Sequence, residues 1–312
     1  MGNIGNDYIM SFGDTIPCKT TQRGCFGLEA PNSGGIITSS DTILQYTDIN
    51  VNKNGHAEIF VPLIDGEPPS YGLGLSNVVE TGPQSGIVFY LRNNRTGPSE
   101  IEGAGVAYVD TSSGWPVVTR PNGECCCRVY IFPSILTDPI SVVGWWSPQE
   151  PFFGDHNAIL SQTDGHIYAY GGFNGSYGNA IFLTRVPQSA TANFSAYEYW
   201  NGTAFTSQRL FNPPQSASVF SAGQGSITWS PYYNKYLYFK PGCPGGSCIL
   251  VMAADEPWGP WSSNSVGVFG TGDSPNHFLM YAPVVLTKWS DPAGKYLIMM
   301  YTGEADCYRV RR

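Results

Sequence analysis

Charge is scarce in this sequence. Only 13% of its 312 residues are charged, with 24 acids against 16 bases and a net charge of −8. Neutralising phosphate takes basic patches, so a chain of this balance is not expected to bind nucleic acid. Long apolar runs are missing as well. Nothing approaches the roughly 20 residues of a membrane span, and no membrane partner is expected. Histidine is limited to 4 scattered residues, and C-x₂-C pairs are absent, which argues against a zinc site. There is no G-x-S-x-G elbow, no P-loop and no G-x-G-x-x-G before a helix, so the hydrolase triad and the common nucleotide cradles lose their frameworks. Helix-favouring Lys, Glu and Ala are sparse, whereas 37 Gly, 24 Pro and 19 Tyr are present. That balance predicts an all-β chain. An aromatic share of 14% gives it enough surface to bury, which excludes intrinsic disorder.

The eight cysteines point to an oxidising compartment. Cys18 and Cys25 bracket KTTQRG, and Cys243 and Cys248 bracket PGGS; both are read as disulfides of a secreted protein. Cys125, Cys126 and Cys127 cannot pair with one another without strain, and one of them is expected to reach Cys307. Four N-x-S/T sequons, at Asn94, Asn174, Asn193 and Asn201, lie near Gly, Pro or Ser, where exposed loops are expected. The N-terminus MGNIGNDYIMSFGDT carries no signal peptide, so the natural start is expected upstream of Met1.

One pattern recurs along the chain: a short β-rich run, a turn, and a second β-rich run with aromatics. It occurs at residues 76–90, 157–171, 225–240 and 282–301, each with Gly, Pro, Asn or Asp at the turn. DYIMSF, residues 7–12, is a fifth second strand. The second strands begin near residues 8, 87, 167, 236 and 296, intervals of about 60–80 residues. Five small antiparallel sheets with long connections describe a five-bladed β-propeller, one domain over residues 1–312. An irregular β-sandwich is the competing fold. The first blade reads as incomplete, because too few residues precede DYIMSF for a full strand. Either the segment around Tyr308–Arg312 closes the ring, or an upstream strand is absent.

In a propeller the innermost strands converge on an axis, and loops at one end form a concave site. The candidates are therefore residues at blade beginnings: Asp14, then Glu29, Pro31 and Asn32, Glu102, the Asp155-His156-Asn157 run, Gln224 and Ser226, and Tyr281. Trp145, Trp146, Phe152 and Phe153 could supply a stacking platform, although packing between blades is the commoner use of such rings. Acids, amides and aromatics without a basic cluster suit a sugar. Glycoside hydrolysis needs two carboxyl groups flanking the scissile bond. Asp164-Gly165 reads as a hairpin turn, Trp258 and Trp261 as packing residues, and Glu304 and Asp306 as rim residues. An acid-lined axis has the chemistry to hold a structural calcium or sodium; no other cofactor is expected.

FGDT (12–15), DGHIYAYGG (164–172), GQGSITWSP (223–231), WGPWS (258–262) and YAP (281–283) follow in an order that resembles the secreted five-bladed-propeller glycoside hydrolases. The nearest likeness is to the endo-D-arabinanase-like family of fungi and actinobacteria, formerly a domain of unknown function. The resemblance implies hydrolysis of furanosidic, arabinan-type polysaccharide by paired aspartates near the axis. It makes Asp14 one of the pair and places the companion ahead of Met1. Asn32, Asp155, Gln224 and Tyr281 become substrate-binding residues, and the protein a secreted monomer acting on a polysaccharide. A non-catalytic carbohydrate-binding propeller, or a truncated inactive homologue, is the alternative.

Overall fold

The computed structural model describes residues 2–5, 7–15, 30–39, 44–49, 60–64, 67–68, 70–95, 100–114, 116–120, 146–173, 179–242, 248–263, 265–270, 280–303 and 308–311. Strands dominate, and the described helical segments are three-residue 3₁₀ turns such as Gln188–Ala190 and Thr287–Trp289. β-Branched and aromatic runs broken by Gly, Pro and Asn leave no segment in which an α-helix would win.

Among the described residues the strands form five antiparallel sheets in chain order. The first holds β1 (Gly2–Ile4), β2 (Asp7–Thr15), β3 (Ala30–Ser39) and β4 (Leu44–Ile49). The second holds β5 (Tyr71–Gly82), β6 (Ser85–Asn94), β7 (Glu100–Asp110) and β8 (Val117–Thr119). The third runs β9 (Asn157–Leu160), β10 (His166–Gly171), β11 (Ala180–Pro187), β12 (Glu198–Trp200) and β13 (Phe205–Thr206), with β14 (Phe220–Ser221) added on β11. The fourth holds β15 (Ser226–Ser230), β16 (Lys235–Gly242), β17 (Cys248–Ala254) and β18 (Gly267–Gly270). The fifth holds β19 (Met280–Val285), β20 (Met299–Gly303) and β21 (Tyr308–Arg311).

The recurring second strands of the sequence are β2, β6, β10, β16 and β20, each beside the first strand of its sheet. Two expectations need correcting. DYIMSF is preceded by β1, three residues long, which pairs Gly2 with Ile9 and Ile4 with Asp7, so the first sheet has four strands. The turn between β1 and β2 is tight, with Gly5 at φ +56. The C-terminal strand β21 pairs with β20 from Met299↔Arg311 to Thr302↔Tyr308, within its own sheet, and does not complete the first.

Apolar packing lies between consecutive sheets. Ile4 and Ile9 meet Leu73, Val78, Val88 and Tyr90 of the second sheet. Ile87, Phe89 and Val106 meet Ile167, Ala169 and Phe182 of the third. Tyr168, Tyr170 and Leu183 meet Ile227, Tyr236 and Tyr238 of the fourth, with Trp258 and Trp261 packed against the seam. Leu237, Phe239 and Val251 meet Val285 and Tyr301 of the fifth. Tyr8 of the first sheet clusters with Leu286 and Met300 of the fifth, and its ring lies 4.7 Å, edge-on, from Trp289. Consecutive sheets thus bury apolar faces against each other, as strands with apolar residues on both sides require.

The aromatic segment ahead of the third sheet is core. Trp146, Phe152 and Phe153 are at most 2% exposed. Trp146 sits 5.3 Å from Phe153 and 6.1 Å from Phe89, and its indole N–H donates to Tyr199. Burial of these rings excludes them as a sugar platform; Trp145 lies outside the described residues. Asp164-Gly165 is the β9–β10 turn, with Gly165 at φ +69 and the Asp164 carboxylate accepting from the His166 amide. The Asn94 sequon is not in an exposed loop. Asn94 ends β6, where its amide donates to Glu102.

Candidate functional site

First strands of consecutive sheets lie beside one another, β1 along β5, β5 along β9 and β15 along β19. Gly2 lies against Val78 and Gly5 against Pro83. Asn77 of β5 holds Ala158 of β9, and Gln188, tied to the Gly165 turn after β9, donates to the carbonyl of Glu80. Ser226 of β15 accepts from the amide of Val285, and Ser230 donates to the carbonyl of Gly294. These contacts give the sheets a leading end, toward which the first strands begin, with the starts staggered. Ser226 at the start of β15 is level with Val285 at the end of β19, and Ala158 near the start of β9 is level with Asn77 in the middle of β5. The other side is the trailing end.

Between these strands lies a cavity of about 380 Å³, lined from all five sheets, by Asn3, Asn77, Asn157, Ser226, Thr228 and Val284 among others. Its polar surface is mostly amide and hydroxyl. Asn77 spans two strands, with Nδ2 donating to the Ala158 carbonyl at 2.6 Å and Oδ1 accepting from the Ala158 amide at 2.7 Å. Oδ1 of Asn3 and Oδ1 of Asn157 are buried without a hydrogen-bond partner among the described residues. The two lining carboxylates are engaged elsewhere: Glu80 accepts from the Gly5 amide and Asp291 from the amides of its own turn. Among the described residues no group of three or more His, Cys, Asp or Glu could hold a metal. Among the described residues the open polar groups of the cavity are amides and hydroxyls.

The predicted site residues belong to the leading end. Asp14 lies near the close of β2, beyond the stretch that β1 pairs, and Asn32 lies across from Gly13 on β3. The register sets Asp14 across from Pro31, one position away from the Gly13–Asn32 pair, so it does not put Asp14 and Asn32 on the same face of the sheet. Tyr281 is the second residue of β19, opposite Thr302 and beside an irregularity where Ala282 adopts φ +48. Asp155 and His156 immediately precede β9. Asp155 Oδ2 lies 3.3 Å from His156 Nδ1, with the side chains 21% and 10% exposed, an ion pair whenever the ring is protonated. Gln224 is exposed, two residues ahead of β15.

Tyr238 of β16 anchors the segment that carries Gln224. Its hydroxyl donates to the Gly223 carbonyl at 2.6 Å. Burial pushes the phenol well above its ordinary value, and the negative charge of Asp155 raises it further, which puts the hydroxyl within electrostatic reach of that carboxylate. Gly225 packs on the same ring, where a Cβ would stand 2.7 Å from Cζ, so the loop lies flat on Tyr238. Sequence reasoning passed over Tyr238; the aromatic alternation of KYLYF was the available signal.

Glu102 stands farther from the axis, on the third strand of its sheet. Its carboxylate accepts from the Tyr71 hydroxyl and, at 2.9 Å, from Asn94 Nδ2. Those bonds tie three strands together at the leading end. Ser226 is buried in strand contacts, Pro31 lies in β3, and Glu29, Glu304 and Asp306 fall outside the described residues. Cys248 is disulfide-bonded; the other seven cysteines also fall outside.

The profile of the family described as Domain of unknown function (DUF4185) matches residues 140–311, and the chain belongs to that family. No curated protein matches. Among solved structures, a candidate hydrolase of Bacteroides ovatus is similar at a TM-score of 0.61 and 13% identity, over 95% of this chain and 76% of that one. A thermostable family-43 glycoside hydrolase gives a TM-score of 0.42 at 11% identity, over 90% and 85% of the two chains. A family 117 glycoside hydrolase of Zobellia galactanivorans gives 0.40 at 9%, over 81% and 72%. The Bacteroides likeness shows a shared fold.

Proposed function

We propose that this member of the DUF4185 family is a secreted glycoside hydrolase acting on furanosidic, arabinan-type polysaccharide. In this reading the chain is a single five-bladed propeller, and the cluster joining Tyr8 to Leu286 and Met300 supports closure between its first and last blades. Asp14 is one of two catalytic carboxyl groups, with Asn32, Asp155, Gln224 and Tyr281 holding the sugar. The observation that carries the reading is that four sheets bring acid, amide and phenol residue types to one end of a shared axis. That is the chemistry a glycosidic bond needs: one carboxyl to protonate the leaving oxygen, one carboxylate to attack or to activate water, and amides to hold hydroxyls. Secretion is supported by the Cys248 disulfide and by exposed sequon residues Asn193 and Asn201.

The test is reducing-end release from arabinan. Asp14→Asn should lower the rate roughly 10²–10⁴-fold, the usual contribution of a positioned acid or base. A variant as active as the wild type removes the role given to Asp14. Glycan binding with no release even by the wild type would make the protein a carbohydrate-binding propeller instead.

A further inference from the structure

The trailing end carries a patch that the hydrolase reading does not use. Tyr232 and Tyr233 in the β15–β16 turn are 55% and 51% exposed, and Tyr296 ahead of β20 is 68% exposed. They are three of six large hydrophobics exposed among the described residues, and two adjoining turns hold these three. The turns are locked together. The Tyr232 amide donates to the Ala293 carbonyl at 2.7 Å, and buried Ser230 donates to the Gly294 carbonyl at 2.7 Å. Asp291 caps the second turn by accepting from the amides of Ala293 and Lys295, and Gly294 takes φ +74 there. The rings of Tyr232 and Tyr233 stand 5.0 Å apart and 86° to each other. Lys295 Nζ lies 5.3 Å from the centre of Tyr232 and 5.4 Å from that of Tyr296, between the two rings. No acidic side chain pairs with that ammonium among the described residues.

The geometry points to a second carbohydrate site here, one that takes a carboxylate-bearing polysaccharide. Exposed aromatic faces on rigid turns offer the C–H faces of sugar rings a surface with little ordering cost. The phenol hydroxyls add hydrogen bonds, and an unpaired ammonium between two rings supplies the charge complement of a uronate carboxylate. Protein interfaces also favour tyrosine but deplete lysine at their centres, whereas here Lys295 lies in the middle of the patch, against two of its rings. The net charge of −8 does not forbid the contact, because at physiological salt charges beyond about 8 Å are largely screened. β15 separates this patch from Gln224 by five residues, roughly 17 Å of strand, so it is independent of the leading-end site.

Affinity electrophoresis of the full chain tests this, in gels containing polygalacturonate, neutral arabinan or no polymer. Polygalacturonate should retard the wild type, and Lys295→Gln or Tyr232→Ala with Tyr296→Ala should weaken the retardation at least about fivefold, with unchanged circular dichroism. Equal mobility of the wild type with and without polygalacturonate overturns the proposal. So does retardation by neutral arabinan alone, undiminished retardation of the variants, or a concentration-dependent dimer that Tyr296→Ala abolishes, since the patch would then serve a second copy.

Discussion

Replacing Asn77 by alanine takes away both hydrogen bonds that join β5 to β9 across the axis. Ala158 is 2% exposed, so its amide and carbonyl lose their partners together. Each net hydrogen bond is worth about 1 kcal/mol, and each backbone group left dry about 1–3 kcal/mol more. The adjoining cavity can admit water to part of that gap, which brings the expected loss to roughly 2–4 kcal/mol. Asn77→Asp is the sharper perturbation. Its carboxylate still accepts from the Ala158 amide, but the second oxygen then faces the Ala158 carbonyl, where only a proton would restore a donor. The folded pKa of the introduced carboxyl is therefore raised above its unfolded value of about 3.9. The stability that depends on the proton is present below that unfolded value and is lost as pH rises through the folded pKa. Urea unfolding at pH 4 and pH 7 should show the deficit of the Asn77→Asp variant growing with pH, while that of Asn77→Ala stays constant. An alanine variant that unfolds with the wild type, or an aspartate deficit that ignores pH, would refute the proposed clamp.

Burial raises the phenols of Tyr8, Tyr168, Tyr170, Tyr197, Tyr199 and Tyr238 above 10.0, that of Tyr199 to about 12. A raised folded pKa leaves stability intact below pH 10 and removes it as pH climbs further. Tyrosinate absorbance should therefore rise in two steps, the exposed rings ionising in the folded protein and the buried ones only with a cooperative loss of circular dichroism above pH 10; ionisation of the buried tyrosines in a fully folded protein would contradict it. Gly154 has φ +91, and a Cβ there would lie 2.2 Å from Phe89 Cβ and Cγ, whereas Gly114, φ +81, has nothing within 4 Å. Thermal unfolding should show Gly154→Ala losing roughly 3 kcal/mol or more and Gly114→Ala only about 1 kcal/mol. Equal losses would mean that backbone conformation alone decides both sites.

The hairpins were readable in the chain because their causes are local. Apolar–polar alternation sets a strand face, and residues such as Asp164-Gly165 turn it, so the second strands β2, β6, β10, β16 and β20 follow from neighbours a few positions apart. The candidate acids and amides were readable for a similar reason, as polar residues at the starts of those units. What occupies the spaces between units was not. Trp146 is core and Tyr232 is surface, yet both are aromatics beside a strand or turn, and only the packing of one sheet on the next separates them. The same holds for the Asn77 clamp, 81 residues from its partner, and for Tyr238, whose hydroxyl holds the carbonyl of Gly223. Such contacts arise when strands distant in sequence are brought around one axis, and no local pattern encodes which residues will face each other there. The sequence by itself determined the repeated β-hairpin and its turns. Tertiary structure decided which groups line the cavity between sheets and which of the described aromatic rings are buried or exposed, because packing of one sheet on the next joins residues far apart in the chain.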